Sequence, residues 1–284
     1  MSRILQTISK TAFITGGASG IGLALTTRLL DDGWYVFVAD KNVADMQDTE
    51  MLRTIECDTS SWDSQVAAFQ KAILWRASDG GRINFVAPIA GVGERQWLPF
   101  PDLSSAEQRQ DFSKPDLTTL EVDLTGVLYT VALAVQYFRR QTRADDGLLG
   151  RIGLVASVCG LYCVPSLPIY TAVKHALVGL TRSYGKLLVD EGITVNALAP
   201  NVVQTSISSP LFYEKLAKKD LLTPMEGLID AFKTILDSGC TGEVFECGPA
   251  GGWTKREGPA YLDEKSGEVC KLLHERAMSL HYSS

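Results

Sequence analysis

The chain has 284 residues and a mass of 30.9 kDa, with 45% hydrophobic and 21% charged residues, the balance of a soluble α/β domain able to bury a large core. A net charge of −6 and a pI of about 5.2 argue against nucleic acid or an anionic membrane as a main partner. No apolar stretch is expected to span a membrane, a first strand near residue 10 leaves no room for a cleavable leader, and six scattered cysteines without a CxxC spacing read as reduced thiols, so a cytoplasmic protein without a metal site is expected.

The elements follow in order. Lys10 to Thr15 is a short apolar run, followed at once by the glycine-rich Gly16–Gly22 and by helical spacing over Leu23 to Asp32 through Leu25, Leu29 and Leu30. Trp34 to Ala39 reads as a buried parallel strand, ended by Asp40. Met51 to Asp58 is a third strand, Trp62 to Trp75 a helix, and Arg82 to Gly91 a fourth strand running into a glycine. A long apolar helix is expected over Leu117 to Arg140, a fifth strand over Arg151 to Ser157, and a helix over Ile169 to Glu191. Ile193 to Pro200 is a sixth strand and Gly242 to Gly248 a seventh. Strands alternating with helices predict one doubly wound parallel sheet of about seven strands, in a single domain over residues 1–284. Residues 92–116, with Trp97, Pro99, Phe100 and Pro101, and 201–222, with Leu211, Phe212 and Tyr213, read as ligand-face loops, and 250–284 as a mixed, charged tail.

Strand, glycine turn and helix together predict a phosphate site. Gly16, Ser19, Gly20, Ile21 and Gly22 sit where backbone can approach a pyrophosphate and a helix N-terminus supplies amide donors. Asp40 is placed to accept hydrogen bonds from the adenosine ribose and to repel a 2′-phosphate, favouring NAD over NADP, although Lys41 beside it could tolerate a phosphate. Asp58 ends the next strand, where an adenine amino group could be read. Downstream, Tyr170 and Lys174 share a helix face four residues apart, and Ser157 precedes the tyrosine by 13 residues. An ammonium beside a phenol is expected to pull its pKa down from about 10 and make it an acid/base group, with the serine holding the same substrate oxygen. His175 points about 100° away from that face. Cys159 and Cys163, near Ser157, read as small apolar filler, with a redox role as the alternative.

Thr15–Gly22, Ser157, the Tyr170/Lys174 pair and Val195–Pro200 together resemble the short-chain dehydrogenase/reductase superfamily over about residues 8 to 250, nearest its hydroxyprostaglandin-dehydrogenase-like, largely fungal branch. The resemblance implies a Rossmann-type domain that holds cofactor and substrate. It implies Tyr170 as acid/base, Ser157 as oxygen holder, and Lys174 as both pKa modifier and nicotinamide-ribose ligand. It places Val203 and Thr205 at the nicotinamide amide, and it implies a homodimer or homotetramer formed through the two long helices. Three departures stand out. Pro88-Ile-Ala90-Gly91 replaces Asn-Asn-Ala-Gly, with Ala90 and Gly91 still able to admit the ribose. Asn201 replaces a glycine after the sixth strand, and asparagine tolerates left-handed backbone well enough for a turn. Asp123 replaces the asparagine that completes the catalytic tetrad, and is expected to reach Lys174 through a water.

The expected function is NAD-dependent interconversion of a secondary alcohol and a ketone on a lipophilic small molecule, with no nucleic-acid or membrane partner. A dehydratase, epimerase or cyclase on the same cofactor site is the alternative, and a nucleotide sensor without catalysis the second.

Overall fold

A computed structural model of the chain describes residues 10–77, 81–100 and 112–282. Eight strands form one sheet: β1 (Thr11–Thr15), β2 (Tyr35–Asp40), β3 (Leu52–Glu56), β4 (Ile83–Pro88), β5 (Gly150–Val155), β6 (Ile193–Pro200), β7 (Val244–Cys247) and β8 (Trp253–Lys255). Their order is β3-β2-β1-β4-β5-β6-β7-β8, so the winding reverses between β1 and β4, the switch point where α/β sheets bind ligands. All pairs are parallel except β7–β8. Every residue of β1 and β6 is buried, as strands covered by helices on both faces must be.

Helices cover both faces. On one, α1 (Gly20–Asp31) and α7 (Met225–Asp237) pack Leu25, Leu29, Leu228 and Phe232 against Ile14, Val38 and Phe245. On the other, α2 (Trp62–Ala77), α4 (Val127–Phe138) and α5 (Pro168–Leu187) lay Phe69, Val131, Val135, Leu177 and Val178 on Phe13, Val86 and Val195. Phe13 touches Phe69 at 4.8 Å between ring centres and is 1% exposed, so truncating it to alanine should cost about 3–5 kcal/mol.

The structure departs from the expected elements at four places. The helix expected over 117–140 is three pieces: α3 (Thr118–Leu120), a π-helical stretch over Glu121–Gly126, and α4. Thr118–Phe138 is also 21 residues long with mean hydropathy 1.3, which by length and composition reaches a membrane span, contrary to expectation; α4 nonetheless packs on α2 and the sheet. Within 201–222, Ser209 caps a helix, α6 (Pro210–Ala217), by accepting a hydrogen bond from the Phe212 amide at 3.3 Å. The amphipathic α7 was not anticipated. The tail holds β8, with Trp253 edge-on to Phe245 at 5.0 Å, and α8 (Glu264–Ala277), capped by Asp263 on the Ser266 amide at 2.7 Å. The middle of the 92–116 loop, with Pro101, lies outside the described residues, as do residues 1–9 and the last two serines of the tail.

Candidate active site

Along the carboxyl ends of β1, β2, β4, β5 and β6 runs a cavity of about 660 Å³. Gly16, Ser19, Gly20, Ile21, Gly22, Asp40, Asp58, Ala90, Gly91, Asp123, Ser157, Tyr170, Lys174, Val203 and Thr205 all line it.

The turn after β1 is shaped by what its residues lack. Gly16 has φ +71°, and a Cβ there would lie 2.5 Å from the Ala90 backbone; a Cβ on Gly22 would lie 2.0 Å from the Gly16 carbonyl oxygen. Ser19 enters α1 extended, at φ −150°, and its side chain makes no capping bond, so it does not compete for the first-turn amides. That cradle of backbone donors at a helix N-terminus fits a pyrophosphate. Asp40 braces the turn: Oδ2 accepts the Ala18 amide at 3.0 Å and Oδ1 the Asn42 amide at 3.1 Å. Asp58 accepts from the Ser60 hydroxyl at 2.6 Å and faces the Lys41 ammonium at 3.3 Å. The Ser60 bonds, ahead of Lys41, hold its carboxyl below the usual range. Ala90 needs no asparagine neighbour to stay in place, because Ile89 and Ala90 both donate to the Thr15 carbonyl, at 3.0 and 2.9 Å.

Across the cavity, Ser157 ends the chain segment after β5 and its Oγ accepts the Cys159 amide at 3.1 Å. Tyr170 lies in the first turn of α5 and Lys174 one turn on, with the ammonium 5.1 Å from the phenol ring centre. The Lys174 side chain is buried; Nζ donates to the Val155 carbonyl at 3.3 Å and meets Asp123 Oδ2 at 3.1 Å. Asp123, in the π-helical stretch, is 1% exposed. Its Oδ1 accepts the Val92 amide at 2.7 Å, while Oδ2 has no hydrogen bond of good geometry and faces the ammonium. The expected water between Asp123 and Lys174 is therefore replaced by a direct buried ion pair: the two side chains are already in contact.

The electrostatics correct a second expectation. Burial pushes the Tyr170 phenol above its ordinary value; Lys174 pulls it down, but Asp123 pushes it up again. The phenol is raised, not lowered. Burial also raises the Asp123 carboxyl against the pull of Lys174 and the Val92 amide. For Lys174, burial opposes the charge, yet Asp123 and then Tyr170 carry its pKa above the usual lysine value.

The loop after β6 differs in detail from what was expected. Among the described residues only Asp220 outside glycine has positive φ, so Asn201 does not take the left-handed turn; its amide donates to the Cys247 carbonyl at 2.9 Å. Phe212 and Tyr213 line the cavity, but Leu211 does not and is 76% exposed. Tyr213 is buried, and its hydroxyl lies 3.2 Å from Thr205 Oγ1 and accepts the Ser208 amide at 3.1 Å, so it shapes the loop. His175 is exposed, with Nδ1 2.9 Å from the Thr171 carbonyl, and does not line the cavity. None of the six cysteines is disulfide-bonded; Cys159 is buried at the cavity and Cys163 exposed. Sequence reasoning missed Glu94, which lines the cavity and accepts the amides of Ile169 at 3.3 Å and Tyr170 at 2.7 Å. No spacing signal could have found it, since 76 residues separate it from Tyr170.

Residues 10–215 match the short chain dehydrogenase family. The short-chain dehydrogenase/reductase prx4 of Penicillium rubens is 32% identical over 199 residues, 70% of this chain and 56% of the relative, so the aligned region spans just over half of that protein. The NADP-dependent dehydrogenase clz5 of Cochliobolus lunatus is 32% identical, over 68% of this chain and 71% of the relative. The 5′-hydroxyaverantin dehydrogenase of Dothistroma septosporum is 31% identical, over 71% and 70%. Among solved structures, 3-hydroxyacyl-CoA dehydrogenase type-2 from Mycobacterium avium superposes with a TM-score of 0.69 at 25% identity, covering 89% of this chain and 100% of that one. The chain belongs to the short chain dehydrogenase family.

Proposed function

We propose that this member of the short chain dehydrogenase family is an NAD-dependent oxidoreductase interconverting a secondary alcohol and a ketone on a lipophilic molecule of secondary metabolism. The observation that carries this reading is the convergence of Ser157, Tyr170 and Lys174 on one cavity with the Gly16–Gly22 turn. NAD, when bound, supplies the hydride acceptor or donor. The residues do the rest. The amides at Gly20, Ile21 and Gly22 receive the pyrophosphate, Asp40 the adenosine ribose and Asp58 the adenine amino group, while Ala90 and Gly91 leave room for the ribose. Val203 and Thr205 hold the nicotinamide amide. Lys174 has used two partners, Asp123 and Val155, and keeps a proton to offer a ribose hydroxyl.

Ser157 holds the substrate oxygen and Tyr170 exchanges its proton. With its pKa raised by burial, the phenol is protonated near neutral pH and suited to protonating a ketone oxygen. Oxidation requires the phenolate, so its rate should rise with pH through the phenol's pKa while the reverse reaction falls. Leu167, Ile207 and Phe212 give the substrate end an apolar lining, in keeping with the hydroxylated compound named for the Dothistroma relative. Asp40 favours NAD, and the Lys41 ammonium is turned to Asp58 rather than left free for a 2′-phosphate; the name of the Cochliobolus relative favours NADP. Titrating the protein with both nucleotides decides, and tighter NADP binding would overturn the choice. The long helices, α4 and α5, are the surface through which we expect two or four copies to assemble.

The reaction itself is tested by screening secondary alcohols for NAD reduction at alkaline pH, with product identification. A product isomeric with its substrate, or one water poorer, formed without net NADH, would replace oxidation with epimerase or dehydratase chemistry.

A further inference from the structure

The helix that carries Tyr170 cannot cap itself. Leu167 stands at the N-cap position and makes no side-chain cap bond, as its side chain has no acceptor. Pro168, the first helical residue, has no N–H to satisfy. The Thr171 amide is taken by the Leu167 carbonyl at 2.9 Å. Two donors of the first turn remain, Ile169 and Tyr170, and the two oxygens of Glu94 take one each, Oε1 at 3.3 Å and Oε2 at 2.7 Å. The carboxylate also complements the positive end of the helix dipole.

Glu94 is itself held. The segment Gly91–Glu94 is pinned one residue after another: Gly91 lies against Asp123, the Val92 amide donates to Asp123 Oδ1 at 2.7 Å, and the Gly93 carbonyl accepts the Thr119 hydroxyl at 2.9 Å. This strap runs from the partner of Lys174 to the amide of Tyr170, so one short segment fixes both members of the acid/base pair. We infer that Glu94 is a positioning residue: by capping α5 in trans it sets where the Tyr170 phenol stands relative to Ser157. The two amides tie its carboxylate to the backbone of α5, the role of a brace. The inference rests on the reading of Tyr170 as the acid/base residue. A misplacement of about 1 Å at such a group costs about a hundredfold in rate.

The test compares Glu94→Ala with Glu94→Gln, which keeps one acceptor oxygen. Hydrogen exchange at the Ile169 and Tyr170 amides, measured on the protein without nucleotide, should speed up at least tenfold in the alanine variant and less in the glutamine variant. With an alcohol found by the NAD-reduction screen, kcat should fall about 10- to 100-fold in Glu94→Ala and recover most of the way in Glu94→Gln, with NAD affinity and the pH midpoint of oxidation unmoved. If Glu94→Ala does not fold, the glutamine variant and its exchange pattern carry the decision. Unchanged exchange at both amides would remove the cap. Faster exchange with unchanged kcat would confine Glu94 to stabilising the helix. A glutamine variant as slow as alanine, with its pH limb lost, would make Glu94 a proton carrier. Turnover retained in Tyr170→Phe would sink the acid/base reading, while the exchange data still judge the cap.

Discussion

Between Gly16 and Asp40, the groups facing the cavity come from one strand–turn–helix–strand stretch, whereas those around Tyr170 arrive from the ends of β4 and β5, from α5 and from a π-helical turn. The first region works by missing atoms: its glycines clear a path for backbone donors, and its single carboxylate sits half exposed. The second works by charges taken out of water, with Asp123 and Lys174 both buried and paired. A cradle of this kind is vulnerable to added volume, and a corner of buried charge is vulnerable to altered protonation. The two should therefore fail separately, one in binding and the other in turnover.

Tyr170→Phe should break the comparison most sharply. General acid–base roles are worth about 10²–10⁴-fold, and kcat should drop by that much while NAD affinity holds. Turnover near wild type would leave the corner without a chemical role. Gly22→Ala is the mirror experiment. A methyl 2.0 Å from the Gly16 carbonyl forces the turn apart, an overpacking cost of about 1–3 kcal/mol. Calorimetric titration should show NAD binding weakened by about ten- to a hundredfold, with the fold retained by circular dichroism; unaltered affinity would remove the cradle.

Asp123→Asn sharpens the comparison inside the corner. Asparagine keeps one acceptor oxygen, enough for the Val92 amide, while its NH2 group replaces the oxygen that faces Lys174, so thermal stability should fall, by up to the about 3–5 kcal/mol typical of a broken buried pair. Asp123 raises the Tyr170 pKa, so removing its charge makes the phenolate easier to form. The acidic limb of the oxidation pH–rate profile should move to lower pH with activity retained. An unmoved limb would take the carboxylate out of the titration, and complete inactivity would give it a direct part in proton transfer. Phe212→Ala should have the smallest effect, a rise of a few-fold in KM for lipophilic substrates without a change in NAD affinity. A fall in melting temperature with KM unchanged would make Phe212 a packing residue.

What could be read from the sequence follows the same division. The glycine turn and the strands were legible because their determinants are local: a run of apolar residues, a spacing, an aspartate at a strand end. The Ser157, Tyr170 and Lys174 trio also carries its own spacing. The partner of Lys174 and the cap of Tyr170 were legible only in part or not at all. Asp123 stood out by residue type, yet its direct contact depends on how the wide turn at Glu121–Gly126 meets α5. Glu94 sits in a stretch without periodicity, and its role exists only once the segment after β4 meets the N-terminus of α5. The downward shift expected for Tyr170 failed for a related reason: a one-dimensional pattern shows the nearby ammonium but not the burial and the carboxylate that outweigh it. β8 and α8 were hidden because a three-residue strand and an exposed, charged helix leave little apolar pattern to find.

The short antiparallel strand at the end of the sheet has a consequence for handling the protein. β8 covers the outer edge of β7, pairing Trp253 to Lys255 with Phe245 to Cys247, and carries an exposed lysine. An open strand edge is a template for another chain, and a brief, charged edge strand is a common way to blunt it. A chain cut after Gly251 would lose that cover and bare Phe245, which is buried under Trp253. Such a truncation should precipitate at concentrations the longer chain tolerates, even with every residue around the cavity in place.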